Sequence, residues 1–505
     1  KRAGTEWSGS PLDSRQRSGQ RCHMLDLRPV GYVIGLLVAS LGLTMLGPLV
    51  VDLAAGDEHW FVFLESMILT VLTGALIALA CANGVSERLS LRQTFLLTSL
   101  VWLTLPFFGA IPFALGATEA SFTDAFFEAM SGLTTTGATV LSGLEGLPAG
   151  LQLWRGILQW LGGVGIIVVA MVFLPELRVG GMQIFRSEAF DTMGKILPRA
   201  GEIASRISVI YVTLTISCAI AYFAAGMDGF DAIVHAMTTV STGGMANSDL
   251  SFGAYGAGVH YIAILFMILA ALPFVRYVQL LAGSPEPLWR DRQIHAFLLI
   301  LSACVLLITA WVWGRQGVMT ETALREALFN ITSIMSGTGY SNADYMQWGT
   351  FPIVILFWVG LIGGCAGSTS CSVKVFRYQL LFSAIKSQIR QIHSPHGVFT
   401  PRYEGRPISE DVINSVMAFL VAFILSLGIT AVLLGMTGLD FITSVSGAAA
   451  AIANIGPGLG QEIGPAGNYA NINDTAKWIL AIAMFVGRLE IMVVLTILSV
   501  KFWRT

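Results

Sequence analysis

The sequence predicts an all-α polytopic membrane protein of about ten transmembrane helices, and three observations predict it. Of the 505 residues, 54% are apolar and only 12% are charged, whereas soluble domains carry charge on roughly a quarter of theirs. Uncharged apolar runs long enough to cross a bilayer recur along the chain, and the mean hydropathy is +0.71. Between those runs a small-residue cluster centred on one glycine returns four times. Lys plus Arg (29) nearly balance Asp plus Glu (31). That leaves no basic excess to neutralise a phosphate backbone, and nucleic-acid binding is excluded as a function class.

The polar N-terminus comes first. Residues 1–23 are rich in Ser, Gly and Arg and cannot bury a core. The natural protein is expected to begin near Met24, with residues 1–27 a tail, extension or tag. The six cysteines, Cys22, Cys81, Cys218, Cys304, Cys365 and Cys371, lack the paired spacing of a disulfide or zinc framework.

Apolar runs read against their charged flanks give ten spans: 30–51, 60–82, 94–115, 153–174, 207–225, 259–281, 296–313, 352–381, 412–434 and 478–500. With the N-terminal tail in the cytoplasm, the inner connections carry Arg88 and Arg92; Arg178, Arg186, Lys195, Arg199 and Arg206; Arg290 and Arg292; Lys374, Arg377, Lys386, Arg390, Arg402 and Arg406; and Lys501 and Arg504. These 17 cations face only four, Arg155, Arg315, Arg325 and Lys477, in the outer connections. The positive-inside rule therefore puts both termini in the cytoplasm.

Four outer linkers are long and half apolar, which an exposed loop is not, so each is expected to dip back into the membrane. In each, an apolar helical stretch ends in a glycine cluster: SGLTTTGATV (131–140), TTVSTGGMA (238–246), IMSGTGYS (334–341) and AIANIGPG (451–458). The central glycines are read as Gly137, Gly243, Gly339 and Gly456, separated by 106, 96 and 117 residues. A span, short helix, glycine turn and span thus recur four times, in one orientation, as parallel repeats about an axis along the membrane normal.

Irregular backbone at membrane depth is tolerated where it is buried in protein or lines water, and four copies about one axis would line one pore. Each short helix enters from outside, so its C-terminus, with roughly half a negative charge, is aimed at the axis and favours a cation. Rings of backbone carbonyls can replace the hydration shell of an alkali ion. No acidic side chain lies in the four clusters, which argues against a divalent-cation site. Packing of small residues between helices explains any one Thr-Gly pair; four in matched places argue for a filter.

These clusters, with GGCAGST (363–369), GRLEI (487–491), NIGPGLG (454–460) and SGTGYSNADYMQWG (336–349), resemble the Trk/Ktr/HKT superfamily of potassium uptake proteins, in particular the bacterial TrkH-type pore subunit, over essentially 28–504. The resemblance implies two leading helices followed by four helix, pore-helix, filter, helix repeats in pseudo-fourfold arrangement. It divides the chain into a leading hairpin (28–92), repeat 1 with a cytoplasmic linker (93–204), repeat 2 (205–294), repeat 3 with an intramembrane gating loop and a cytoplasmic linker (295–411) and repeat 4 (412–505). It places a K+ selectivity filter at Thr135, Thr136 and Gly137; Ser241, Thr242 and Gly243; Thr338 and Gly339; and Ile455 and Gly456, with K+ on their backbone carbonyls. Gly137 matches the potassium-selective pattern rather than the serine of sodium-selective plant relatives.

Span eight is interrupted by Gly363, Gly364, Cys365, Ala366, Gly367, Ser368 and Thr369, which breaks a helix. As bare sequence this is either a packing kink or a mobile loop; the resemblance implies the gating loop, with Cys371 and Ser372 standing where relatives commonly have further glycines. Arg488 lies well inside span ten, where a charge is costly and therefore a functional candidate. It is read either as paired with Glu490 or snorkelling, or, by the resemblance, as an electrostatic barrier in the pore. Lys374 is read as an interfacial cation or an assistant to Arg488. His393 and His396 form no metal site without a third ligand, and Glu128 and His235 are read as structural or outer-vestibule residues.

The reading is K+ uptake across the bacterial inner membrane through a channel-like pore, with no covalent chemistry and no cofactor in this chain. Neither a Walker A string nor a strand followed by GxGxxG is present, so nucleotide would act only through a partner. The resemblance implies a cytosolic TrkA-type regulatory subunit and a homodimer in membrane lipid. Two alternatives are carried: a proton- or sodium-coupled symporter, which needs a carboxylate relay within the spans, and a membrane enzyme built on acids such as Asp124, Asp231 and Asp440.

Overall fold

Helical segments account for nearly all of the regular structure. The computed structural model describes residues 26–84, 89–168, 200–316 and 321–504. The cations Arg88, Arg178, Arg186, Lys195 and Arg199, Cys22 and most of the polar tail lie outside them. Among the described residues six helices are long and apolar enough to cross a membrane, up to eight when each of two bent pairs is taken as one span, against the ten spans read from the sequence. The leading hairpin is Arg28–Ala55 and Trp60–Gly84. Its helices approach backbone to backbone: a Cβ on Gly35 would stand 2.7 Å from the Gly74 carbonyl oxygen, and the reverse holds, the small-residue contact expected where both helices face lipid. The hairpin is tied to the following unit by buried Asp52, which pairs with His59 Nδ1 at 3.0 Å and accepts the Gly150 N–H at 2.5 Å.

Four units follow, each with a short helix between longer ones: Phe122–Leu133, Gly229–Val240, Glu321–Ser336 and Phe441–Ala453. Each short helix starts with an acid that the positive N-terminal end of the dipole favours. Ser121 caps the first by accepting from Asp124 N–H, Asp228 caps the second, and Asp440 caps the fourth by accepting from the N–H groups of Ile442 and Thr443. Asp124, Asp231 and Glu321 occupy first turns. The acids that an enzymatic reading would have used are helix starts.

Two expected spans are not straight. Span 259–281 is Ala257–Ala271 and Phe274–Leu281, bent by 89°; span 478–500 is Asp474–Arg488 and Met492–Leu498, bent by 107°. At the first break Pro273 lacks an N–H and drives Leu272 extended (ψ 160°); at the second, Glu490 is left-handed at φ 56°. In the eighth region the helix Thr350–Gly360 stops at the glycine cluster and restarts as Val375–His393. A two-residue antiparallel ladder, Arg402–Tyr403 on Arg406–Pro407, and an isolated parallel bridge between Ile362 and Val373 are the β structure among the described residues.

The first and fourth units close on each other. Lys477 Nζ reaches Asp124 at 2.6 Å, Trp478 Nε1 donates to Thr123, and the Trp478 ring stacks on Phe126 at 4.9 Å. Two of the four outer-linker cations, Arg155 and Lys477, are therefore buried in ion pairs rather than exposed.

Candidate functional site

After each short helix the chain makes the same turn. One residue sends its N–H back five positions: Thr136 to Ser131, Gly243 to Thr238 and Thr338 to Ser333, each at 2.9 Å, and Ile455 to Ala450 at 2.8 Å. The residue before it, Thr135, Thr242, Gly337 or Asn454, is left-handed, at φ 52°, 52°, 81° and 52°. The residue after it is Gly137, Gly244, Gly339 or Gly456. This corrects the register read from the sequence: the equivalent of Gly137 is Gly244, at φ 78°, and Gly243 takes the place of Thr136, with Thr242 matching Thr135 and Ser241 matching Thr134. The Gly-Gly doublet hid a one-residue choice that backbone conformation settles.

The four glycine strands touch in cyclic order. A methyl on Gly137 would overlap the Gly243 carbonyl, one on Gly244 the Thr338 carbonyl, one on Gly339 would lie 2.7 Å from Gly456 N, and one on Gly456 would lie 3.0 Å from the Gly137 oxygen. Gly137, Gly244, Gly339 and Gly456 all line one cavity of about 490 Å³. On its rim the first two units clasp each other. Ser248 Oγ and Asp249 N–H donate to Glu145 at 2.6 and 3.1 Å, while Asp249 accepts from Gly143 N–H at 2.7 Å and Leu144 N–H at 3.2 Å. The Ser248 hydroxyl, foremost, holds the Glu145 carboxyl below the usual carboxylate range.

Each short helix also holds its own exit strand, a role the reading of Glu128 and His235 as structural or outer-vestibule residues did not specify and one that left Asn330 and Ser446 unnoticed. Nine residues before the equivalent glycines stand Glu128, His235 and Asn330. Glu128 accepts from Val140 N–H at 3.0 Å, His235 Nε2 from Asn247 N–H at 3.4 Å and Asn330 Oδ1 from Asn342 N–H at 3.4 Å. The donors, Val140, Asn247 and Asn342, follow each glycine by three. In the fourth unit Ser446 serves, accepting from Leu459 N–H at 2.8 Å. His235 Nδ1 donates to the Asp231 carbonyl at 2.8 Å, which fixes the neutral tautomer. Glu128 further pairs with Arg155 Nε at 2.9 Å, and Arg155 Nη1 donates to the Ala246 carbonyl at 2.7 Å, across to the second unit. The signal was available as polar residues at one offset, once Gly244 is the reference.

The glycine cluster of the eighth region, Gly363, Gly364, Cys365, Ala366, Gly367, Ser368 and Thr369, forms a buried, non-helical loop seated on the 89° bend of the second unit. The bend frees backbone groups, and the loop uses them: Cys365 N–H donates to the Ala271 carbonyl at 2.9 Å, Thr369 Oγ1 to the Ala270 carbonyl at 3.0 Å, and Phe274 N–H to the Gly367 carbonyl at 3.0 Å. Gln293 Oε1 accepts from Ala366 N–H at 3.0 Å. Ser372 is pinned to the Gly360 carbonyl at 3.0 Å.

Arg488 is 1% exposed. Its guanidinium meets Cys371 Sγ of the loop and donates to the Gly162 carbonyl of the first unit at 3.0 Å, with Trp102 5.2 Å away. It neither snorkels nor pairs with Glu490, whose partner is Arg377. Lys374 is buried in the protein rather than solvated: it is 5% exposed, its Nζ has no hydrogen-bond partner among the described residues, and it shares a small cavity with Arg488 and Cys371. His393 and His396 are exposed, and no group of three potential metal ligands occurs among the described residues.

A family model described as TrkH, cation transport protein, matches residues 59–504. The Trk system potassium uptake protein TrkI of Halomonas elongata is 43% identical over 478 residues, 94% of this chain and 97% of that one. TrkH of Escherichia coli K12, also titled a Trk system potassium uptake protein, is 34% identical over 95% of this chain and all of its own. The crystal structure of the potassium transporter TrkH from Vibrio parahaemolyticus superposes with a TM-score of 0.87 at 34% identity, covering 95% of this chain and 100% of that one. With its ring of four glycine strands and matches of this extent, the chain belongs to the TrkH family of cation transport proteins.

Proposed function

We propose that this chain carries K+ into the cell across the bacterial inner membrane, through a channel-like pore whose filter is the ring of four glycine strands. The observation that carries the proposal is the cyclic contact of those strands around one cavity. In this reading the carbonyls of Thr135, Thr136 and Gly137, of Thr242, Gly243 and Gly244, of Thr338 and Gly339, and of Ile455 and Gly456 replace water around the ion. Ser241, one place further from the ring, supports its strand. The C-termini of four short helices add negative potential, and the inside-negative membrane potential supplies about 2.3 kcal/mol per charge for each 100 mV.

The loop Gly363–Thr369 acts as the gate, held shut by Arg488 between Cys371 and the Gly162 carbonyl. A cytosolic TrkA-type nucleotide-binding subunit drives it, on a homodimer of this chain with both termini cytoplasmic and with the repeat boundaries given above. Supporting uncoupled passage, each of the four buried carboxylates among the described residues is held by a cation or imidazole: Asp52 by His59, Glu128 by Arg155, Asp291 by Arg276 and Glu490 by Arg377. That leaves none of the four free for a proton relay.

The test is influx of radioactive Rb+ into proteoliposomes, with competition by K+, Na+ and Li+, for the unmodified protein and for Gly137→Ser. K+ should compete best, and the substitution should erode its advantage over Na+. Equal competition by Na+ in the unmodified protein would overturn the assignment.

A further inference from the structure

The second glycine strand differs from the other three. At the position of Thr136, Thr338 and Ile455 it has Gly243, followed by Gly244, so two adjacent residues lack side chains where backbone freedom is greatest. A ring that selects by carbonyl position needs that freedom removed. The structure shows what removes it. Gln159, fully buried on the helix Ala149–Val168 of the first unit, donates from Nε2 to the Gly243 carbonyl at 2.6 Å and accepts at Oε1 from Met245 N–H at 3.1 Å. One carboxamide therefore grips the strand on both sides of Gly244. The reversed amide would set N–H against N–H, so this orientation is the only one that satisfies both contacts.

The empty position and the glutamine explain each other. A Cβ on Gly243 would lie 2.7 Å from Gln159 Nε2 and closer still to its Cδ and Oε1. Where the first strand has its own Thr136 hydroxyl, bonded to Asn454 Nδ2 at 3.0 Å, and the third its Thr338 hydroxyl, bonded to Ser336 at 2.7 Å, the second takes its polar brace from a neighbouring unit. A carbonyl oxygen has two lone pairs, so the bond to Gln159 leaves one for an ion.

We propose that Gln159 is a specificity-determining positioning residue: by clamping the Gly243–Gly244 peptide from outside the ring, it fixes where the second strand's carbonyls stand and hence which monovalent cation the ring fits. This rests on the glycine ring being the filter.

The test uses the whole chain in proteoliposomes, with Rb+ influx competed by K+ and Na+. Gln159→Met keeps the bulk and removes both bonds. Loss of the bond to the ring carbonyl itself, about the worth of one buried hydrogen bond, should lower the K+ over Na+ preference by roughly tenfold. Gln159→Glu keeps the acceptor for Met245 but can donate to the Gly243 carbonyl only when protonated. Its preference should approach that of the unmodified protein at pH 6 and fall at pH 9.5, while the unmodified protein stays flat. Gln159→Met, which carries no charge, separates loss of the clamp from the field of an ionised carboxylate. Unmodified preference in Gln159→Met overturns the proposal, and should that variant fail to fold, a pH-independent preference in Gln159→Glu overturns it. Gly137→Ser, run in parallel, separates the two layers: if it leaves the preference intact, the filter reading itself falls; if it erodes the preference while Gln159→Met does not, only the role of Gln159 falls.

Discussion

Breaking the Glu128–Arg155 pair tests how the outer strands are held. Glu128 is wholly buried and Arg155 is 2% exposed, with Nε 2.9 Å from Oε1. The carboxylate also accepts from Val140 N–H and Thr139 Oγ1, and the guanidinium donates to the Ala246 carbonyl. Removing one member of such a pair leaves a charge without its counter-charge, at a cost of about 3–5 kcal/mol. Glu128→Gln keeps an oxygen for Val140 but strands the guanidinium; Arg155→Met strands the carboxylate and frees the Ala246 carbonyl. Each single variant should lower the apparent unfolding temperature in detergent by on the order of 5 °C. The double variant has no charge left to desolvate, so its loss should be well below the sum, with a coupling of about 2–3 kcal/mol. Strictly additive losses, or singles within a degree of the unmodified protein, would refute the account of this pair as the tie between exit strand, short helix and second unit.

Three further outcomes are expected. Arg488→Ala should raise cation flux in proteoliposomes free of any partner, up to roughly thirtyfold, since a unit charge at about 8 Å in an effective dielectric near 20 is worth about 2 kcal/mol; unchanged flux would remove Arg488 as a barrier. Gly143 and Gly244 are both left-handed, at φ 69° and 78°, but a Cβ meets nothing within 4 Å at Gly143 and the Thr338 carbonyl at Gly244. Ala at Gly143 should therefore cost only local strain of about 1–2 kcal/mol, whereas Ala at Gly244 should also disturb cation preference, and equal effects would argue against the ring contact. Glu145 has a folded-state pKa lowered by Ser248. Its contribution is complete above the unfolded value of about 4.3 and is lost as pH falls through the lower folded value, so protection from exchange of the Asp249 amide, which donates to Glu145, should be flat from pH 5 to 8 and drop only in more acid solution, and Glu145→Gln should remove that step.

Span positions and the fourfold repeat were legible because they rest on hydrophobicity and on self-similarity, which survive without knowledge of contacts. The 89° and 107° bends were not: Pro273 is visible in the sequence, but proline is tolerated inside membrane helices, and Glu490 gives no sign of a left-handed backbone. Positive charge was legible only as a count. That count treats Arg155, Lys374, Arg377 and Lys477 as solvated, and all four are buried, because a cation with the right counter-charge folds inward and one without marks a cavity. The register of the second strand failed for a related reason. Gly243 and Gly244 are identical as letters, and only φ and the brace from Gln159 distinguish them.

A ring built from one chain differs physically from a ring of identical subunits. With four copies of one sequence, a single interface must serve four times; here each junction has its own chemistry. The first and second units are joined by Arg155 and Gln159, the second and third by Thr238 Oγ1 and Tyr340 OH at 2.5 Å, and the fourth and first by Asn454 and by Lys477 with Asp124. The backbone repeats the same five-residue hydrogen bond in all four turns, with Gly137, Gly244 and Gly339 left-handed and Gly456 not, while side chains diverge further one layer out. That divergence is what allows a single loop of the third unit, the one such loop among the described residues, to seat on a bend present in the second and to meet an arginine from the fourth. In a strictly symmetric ring four such loops would compete for one axis. The asymmetry of the supporting layer is thus a condition for one loop to pack against a nearly symmetric ring, and substitutions in that layer should perturb one quarter at a time.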